Sequence, residues 1–274
     1  MKEHNNSFRA IFRNPRVFLP VIHPVSPVTA LRSIETAVLS GADGIFLINQ
    51  GMTSGQVLDF IPEVNNRYPD LWIGVNLLGI EPEDVIELIA KLPVGGIWSD
   101  NAGINENTEA QTAAECFREA RQRNRWNGLY FGGVAFKYQR QVPDARIPDA
   151  ARRAKAWMDV ITSSGPGTSF AAPLDKVMAL RLGAGDHPVA LASGVSPENI
   201  EGFLPFVDAY LVASEIETSN GSGVLVPERT KLLATKIHGW QPDGPPVDDR
   251  HAHDAHLNHP PAASTGNQNP QNRS

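Results

Sequence analysis

His23, Asp100 and Lys137 are the residues of this 274-residue chain best suited to move protons or hold an anion. Each sits at or near the end of a short apolar run, in VFLPVIH, GIWSD and GGVAFKY. An ammonium at the end of such a run is costly to bury unpaired. Lys137 therefore either pairs with Asp100 or Glu215, or meets an anionic substrate or a carbonyl. A covalent Schiff-base role would require a depressed pKa, which sequence does not display. A carboxylate beside a lysine stays ionised and can serve as a base or hold a ligand hydroxyl. Asp100 could equally cap a helix, and His23, just before Pro24, could tie the rim by hydrogen bonding.

A second group of residues is suited to cradling an anion. Gly165, Gly167 and Thr168 lie in GPGT, Ser193 and Gly194 in ASGVSPEN, and Ser214 and Glu215 in VASE. Glycine lets backbone N–H groups approach an oxyanion closely, and a following helix start favours negative charge. Tight turns between elements would use the same residues. Asn49 and Asn76 also end apolar runs, where they contact a ligand or tie neighbouring loops. No Walker loop, dinucleotide fingerprint, HExxH or CxxC pattern occurs. No organic cofactor is therefore implied. Asp100, Glu215 and His23 could converge on a metal, although no compact ligand motif favours one.

All of these residues need elements to position them. Strand-like runs occupy 17–23, 44–49, 72–78, 96–100, 129–138, 159–164, 188–193 and 209–214, each followed by a helical pattern. Val85, Leu88, Ile89 and Leu92 fall on one helical face, as do Ile200, Phe203, Leu204 and Val207. Glu81-Pro82-Glu83-Asp84 and Ser196-Pro197-Glu198 read as helix starts. Eight alternations without a second composition shift predict a single-domain (β/α)8 TIM barrel over 17–240, after an N-terminal extension at 1–16. Sites in such a barrel gather where the strands end, and all the polar residues above fall there.

Composition narrows the function classes. A formal charge of −6 gives no reason to expect nucleic acid or an anionic membrane as partner. No apolar run is long enough to span a bilayer. The one cysteine, Cys116, lies in a helical pattern and leaves the cytoplasm as the default setting. Association between copies through helix faces stays open. Residues 241–274 are poor in apolar side chains and read as a disordered tail. Its histidines His251, His253, His256 and His259 have no fixed geometry with which to select a metal.

The blocks VIHPVSP, GADGIFLIN, GVNLL, FKY, DVITSSGPGT and PVALASGVSPENIEGFLPFVDAYLVAS together resemble the BtpA/SgcQ family of barrel proteins. The resemblance spans most of 17–237 and implies a phosphate-binding type of barrel. It matches Lys137 and His23 to the family's strand-five lysine and strand-one histidine, and Gly167, Ser193 and Gly194 to its anion loops. The chain departs from the family at Tyr138, at Asn49-Gln50 and at Ala213, where His, an acid and Gly are usual. The expectation is an enzyme acting on a small phosphorylated metabolite by lyase, isomerase or glycosyl-bond chemistry. The alternative is a non-catalytic biogenesis or assembly factor.

Overall fold

The computed structural model describes residues 3–241; the histidines of the tail lie outside them. Eight parallel strands close into a barrel in sequential order. They are β1 (Val17–Ile22), β2 (Ile45–Ile48), β3 (Ile73–Asn76), β4 (Gly96–Ser99), β5 (Leu129–Gly133), β6 (Val160–Ser164), β7 (Val189–Ala192) and β8 (Ala209–Val212). Closure is made by β1 against β8, with Val17 opposite Ala209 and Pro20 opposite Val212. Helix α1 (Glu3–Ile11) precedes the barrel. Around it lie α2 (Pro27–Leu39), α3 (Ser54–Arg67), α4 (Pro82–Ile89), α5 (Thr112–Arg123), α6 (Ile147–Ala154), α7 (Leu174–Ala184) and α8 (Pro227–His238). The expected barrel is the observed fold.

Alternation along the strands splits the core in two. Phe18, Ile22, Leu47, Val75, Tyr130 and Leu191 face the helices, while Leu19, Phe46, Phe131, Val160, Ala190 and Leu211 fill the interior. The lower interior is aromatic. Phe46 packs edge-on against Phe131 at 5.2 Å and Trp72 at 5.3 Å between centroids. Gly74 makes room for this, because a Cβ there would lie 2.3 Å from the Phe46 ring. Helix α1 and the residue after it close the bottom with two further rings: Phe8, fully buried, meets Phe131, and Phe12 meets Trp72.

The same end of the barrel is fastened by three aspartates. Asp43, Asp159 and Asp208 stand just before β2, β6 and β8. Each accepts a backbone N–H from the start of the preceding strand: Phe18 at 2.7 Å, Tyr130 at 2.8 Å and Val189 at 2.9 Å. Each also has a basic partner, His238, Arg121, and Arg9 with Arg181, respectively.

Three local expectations are corrected. β5 ends at Gly133, not 138, because a Cβ at Gly133 would lie 2.0 Å from the Asp100 carbonyl and the chain then turns through Ala135 at φ +49°. The segment after β7 forms only a 3-10 turn, Ile200–Gly202, and not a helix. Gly202 and Pro205 explain this, one by its entropy and the other by its missing donor. On α4 the buried face is Val85, Ile86 and Ile89, and Leu88 is exposed. Cys116 is exposed on α5.

If α1 is part of the core, Phe8→Ala should lower stability by about 3–5 kcal/mol in urea denaturation. The exposed control Val28→Ala should cost less than about 0.5 kcal/mol. Equal losses for the two variants would show that α1 does not support the barrel.

Candidate active site

Strand alternation delivers the first site residues. Val17, Leu19 and Val21 point inward on β1, so His23 does as well; Trp98 points inward on β4, so Asp100 follows it. Lys137 arrives differently. The left-handed turn at Ala135 brings the chain back over the mouth, and the Lys137 N–H is fixed by Ser164 Oγ at 2.9 Å. Together these residues line a cleft of about 310 Å³ at the C-terminal rim.

The ammonium of Lys137 donates to Ser193 Oγ at 2.7 Å and to Thr168 Oγ1 at 3.1 Å. Its hydrogen-bond partners are thus hydroxyls, and neither Asp100 nor Glu215 forms an ion pair with it. Burial lowers its pKa, and the charge of Asp100 opposes that shift. Asp100 accepts from Asn76 Nδ2 at 3.1 Å. Burial pushes its carboxyl above the usual range, against the opposing effects of Asn76 and Lys137. The cleft therefore holds a lysine displaced toward neutrality and an acid displaced toward protonation. Trp98 lines the same cleft, and its buried indole N–H has no partner among the described residues.

On another wall, His23 Nδ1 lies 2.7 Å from Glu217 Oε1. Glu217 is buried, and its Oε2 accepts the Gly221 N–H at 2.8 Å. This anchors one ring nitrogen of His23 and leaves Nε2 for exchange with a ligand. Glu217 was not singled out from the sequence, because it lies five residues beyond β8 in a polar stretch. The TSNGSG turn that folds this stretch back is the signal that could have found it. Lys176, on α7, was also missed. Its Nζ donates to the carbonyls of Ala135 at 2.5 Å and Ser164 at 2.6 Å, and so braces the turn that carries Lys137.

Eight of the twelve residues expected at the site line this one cleft: His23, Asp100, Lys137, Thr168, Ser193, Gly194, Ser214 and Glu215. Asn76 stands behind Asp100. Asn49 does not line the cleft; its amide bonds Ser54 and both backbone groups of Leu78, tying two loops together. Gly165 lines a neighbouring cavity, and Gly167 packs beneath the Phe170 ring. At Gly194, φ is +66° and a Cβ would lie 2.2 Å from the Phe170 carbonyl carbon. Loop backbone therefore covers one side of that expected anion corner. Ser214 Oγ donates to Asn220 at 2.8 Å. No group of three or more His, Cys, Asp or Glu placed to hold a metal occurs among the described residues.

The sequence matches no family model and no curated protein. Solved structures do resemble it. (S)-3-O-geranylgeranylglyceryl phosphate synthase from Thermoplasma acidophilum, in complex with sn-glycerol-1-phosphate, superposes with a TM-score of 0.62 at 16% identity, over 88% of this chain and 100% of that one. Phosphoribosyl anthranilate isomerase from Thermus thermophilus gives 0.55 at 16%, over 82% and 100%. N-(5'-phosphoribosyl)anthranilate isomerase from Pyrococcus furiosus gives 0.58 at 11%, over 82% and 100%. The likeness is one of fold. No described helix is long and apolar enough to cross a membrane.

Two outcomes follow from this geometry. A raised Asp100 pKa means the folded state binds the proton more tightly than the unfolded chain. The stability it contributes is present below the ordinary carboxyl pKa and lost as pH rises through the folded value. Asp100→Asn should therefore be more stable than wild type at about pH 7, with the gain vanishing by about pH 3. Denaturation at both pH values measures it. His23→Leu should cost about 3–5 kcal/mol, because it strands the buried Glu217 carboxylate. His23→Leu with Glu217→Leu should recover much of that loss, whereas additive losses would show that the pair is uncoupled.

Proposed function

We propose that this barrel is an enzyme acting on a small phosphorylated metabolite held in the rim cleft. One observation carries the reading: the half-buried Lys137 ammonium, seated by the hydroxyls of Ser193 and Thr168, with its positive charge met by no ion-pairing carboxylate among the described residues. Such a seat favours an anion, which would complete the charge balance and take hydrogen bonds from the same three groups. The resemblance to the BtpA/SgcQ family supports a phosphate-binding type of barrel. The fold neighbours include proteins named for phosphorylated ligands, sn-glycerol-1-phosphate among them.

The chemistry this site can supply is proton transfer beside a polarised oxygen. Lys137 neutralises the substrate anion or polarises a carbonyl. Asp100, displaced toward protonation by burial, exchanges a proton near neutrality more readily than an ordinary carboxyl. His23, oriented by Glu217, is the partner acid or base on its own wall. A lyase, isomerase or glycosyl-bond reaction uses these groups, and each needs an acid and a base around one reacting centre.

Titration calorimetry with inorganic phosphate and sn-glycerol 3-phosphate tests the reading. Wild type should bind both, and Lys137→Ala should weaken binding at least tenfold, about 1.4 kcal/mol. Unchanged affinity in Lys137→Ala would remove the lysine from the site. Binding with no turnover across a panel of phosphorylated metabolites would select the assembly-factor alternative.

A further inference from the structure

Beside the central cleft lies a second cavity of about 470 Å³, enclosed by the loops after β5 and β6 and by the start of α6. Lys137 and Tyr138 line both spaces and form the wall between them. Lys176 lines the second cavity from the first turn of α7. Its ammonium donates to the carbonyls of Ala135 and Ser164. Those two bonds occupy two of its three protons and cancel none of its net charge.

The surroundings supply no direct counter-ion, although Asp144 lines the same cavity. Among the described residues, no carboxylate forms an ion pair with Lys176; Asp144 acts on it only through space. Arg140 lines the same cavity, and its guanidinium is engaged by both carboxylate oxygens of Glu106. Lys176 also occupies a helix start, where the aligned peptide dipoles already present positive charge. Burial lowers its pKa to about 8, against the opposing charge of Asp144. Ser164 joins the two lysines, taking the Lys137 N–H on its hydroxyl and the Lys176 ammonium on its carbonyl.

We propose that this cavity is a second anion subsite, so that the ligand carries a negative group at each end, one at Lys137 and one at Lys176. The proposal rests on the reading of the central cleft as a phosphate site. It narrows the substrate class to bisphosphates and phosphorylated carboxylic acids, which reach across the shared wall. A simple monophosphate fills only the first seat.

Calorimetry with sn-glycerol 3-phosphate, 3-phosphoglycerate and fructose 1,6-bisphosphate separates the two claims. At least one of the two-ended ligands should bind tenfold or more tightly than glycerol phosphate, and Lys176→Met should bring that ratio close to one. Should the variant fail to fold, reductive methylation of wild type, followed by mass spectrometry, reads the same site. The tighter ligand should then slow labelling of Lys176, and glycerol phosphate should not. Equal affinities with no protection would overturn the second subsite and leave the first standing. Failure of glycerol phosphate and both two-ended ligands to bind would overturn both.

Discussion

Closing eight parallel strands into a barrel turns every second strand residue toward a space that must be filled, and this constraint governs the rest of the molecule. At the lower end the space is taken by Phe46, Trp72 and Phe131, with Phe8 of α1 and Phe12 just after it completing the layer. At the upper end the same alternation presents His23, Asn76 and Asp100, which an apolar filling could not accommodate. The barrel therefore stays open at its mouth and is packed at its base. The three aspartates that hold the strand starts lie at the packed end, leaving the rim loops to diverge.

Electrostatics at the mouth follow from that division. Asp100 and Lys137 each lose solvation, and each is partly compensated by the other's charge, without direct pairing. A direct ion pair would have satisfied both and left little affinity for a ligand. Placing the ammonium against two hydroxyls holds it in position while keeping its charge available. Glu217 does the corresponding work for His23, fixing one nitrogen and freeing the other. Lys137 is positioned by neutral hydroxyls and His23 by a buried carboxylate, and each keeps a polar face toward the cleft.

The strands were legible because each is a short apolar run with a polar end, and β1, β6 and β8 begin and end within two residues of expectation. His23, Asp100 and Ser193 were legible for the same reason. Lys137 was expected at the end of the fifth strand, and that placement was read wrongly, since a left-handed turn at Ala135 has no signature in residue type. Asn49 looked like a rim ligand, yet its partners are set by the neighbouring loop at Leu78. Glu217 and Lys176 escaped because each reaches the site from a different unit of the chain. Periodicity reports which face a residue takes, and contacts between separate loops lie beyond it.

Unit seven shows how the fold redistributes a role. Its glycine-containing loop was expected to feed a helix whose N-terminus would hold an anion, but the segment makes only a 3-10 turn. Gly194 instead allows the backbone at Phe170 and Ala171 to pack onto it, as Gly165 does from the other side. The glycines thus seat the β6 loop, and that loop presents Thr168 to Lys137. Where a helix terminus would have presented fixed dipoles, the cleft presents a side-chain cation. A backbone cradle holds its anion at any pH the fold tolerates, whereas a lysine with a lowered pKa releases it as pH rises through a range below that of an ordinary lysine. On the proposed reading, anion affinity would be tied to the burial of Lys137, and in turn to the loop that covers it.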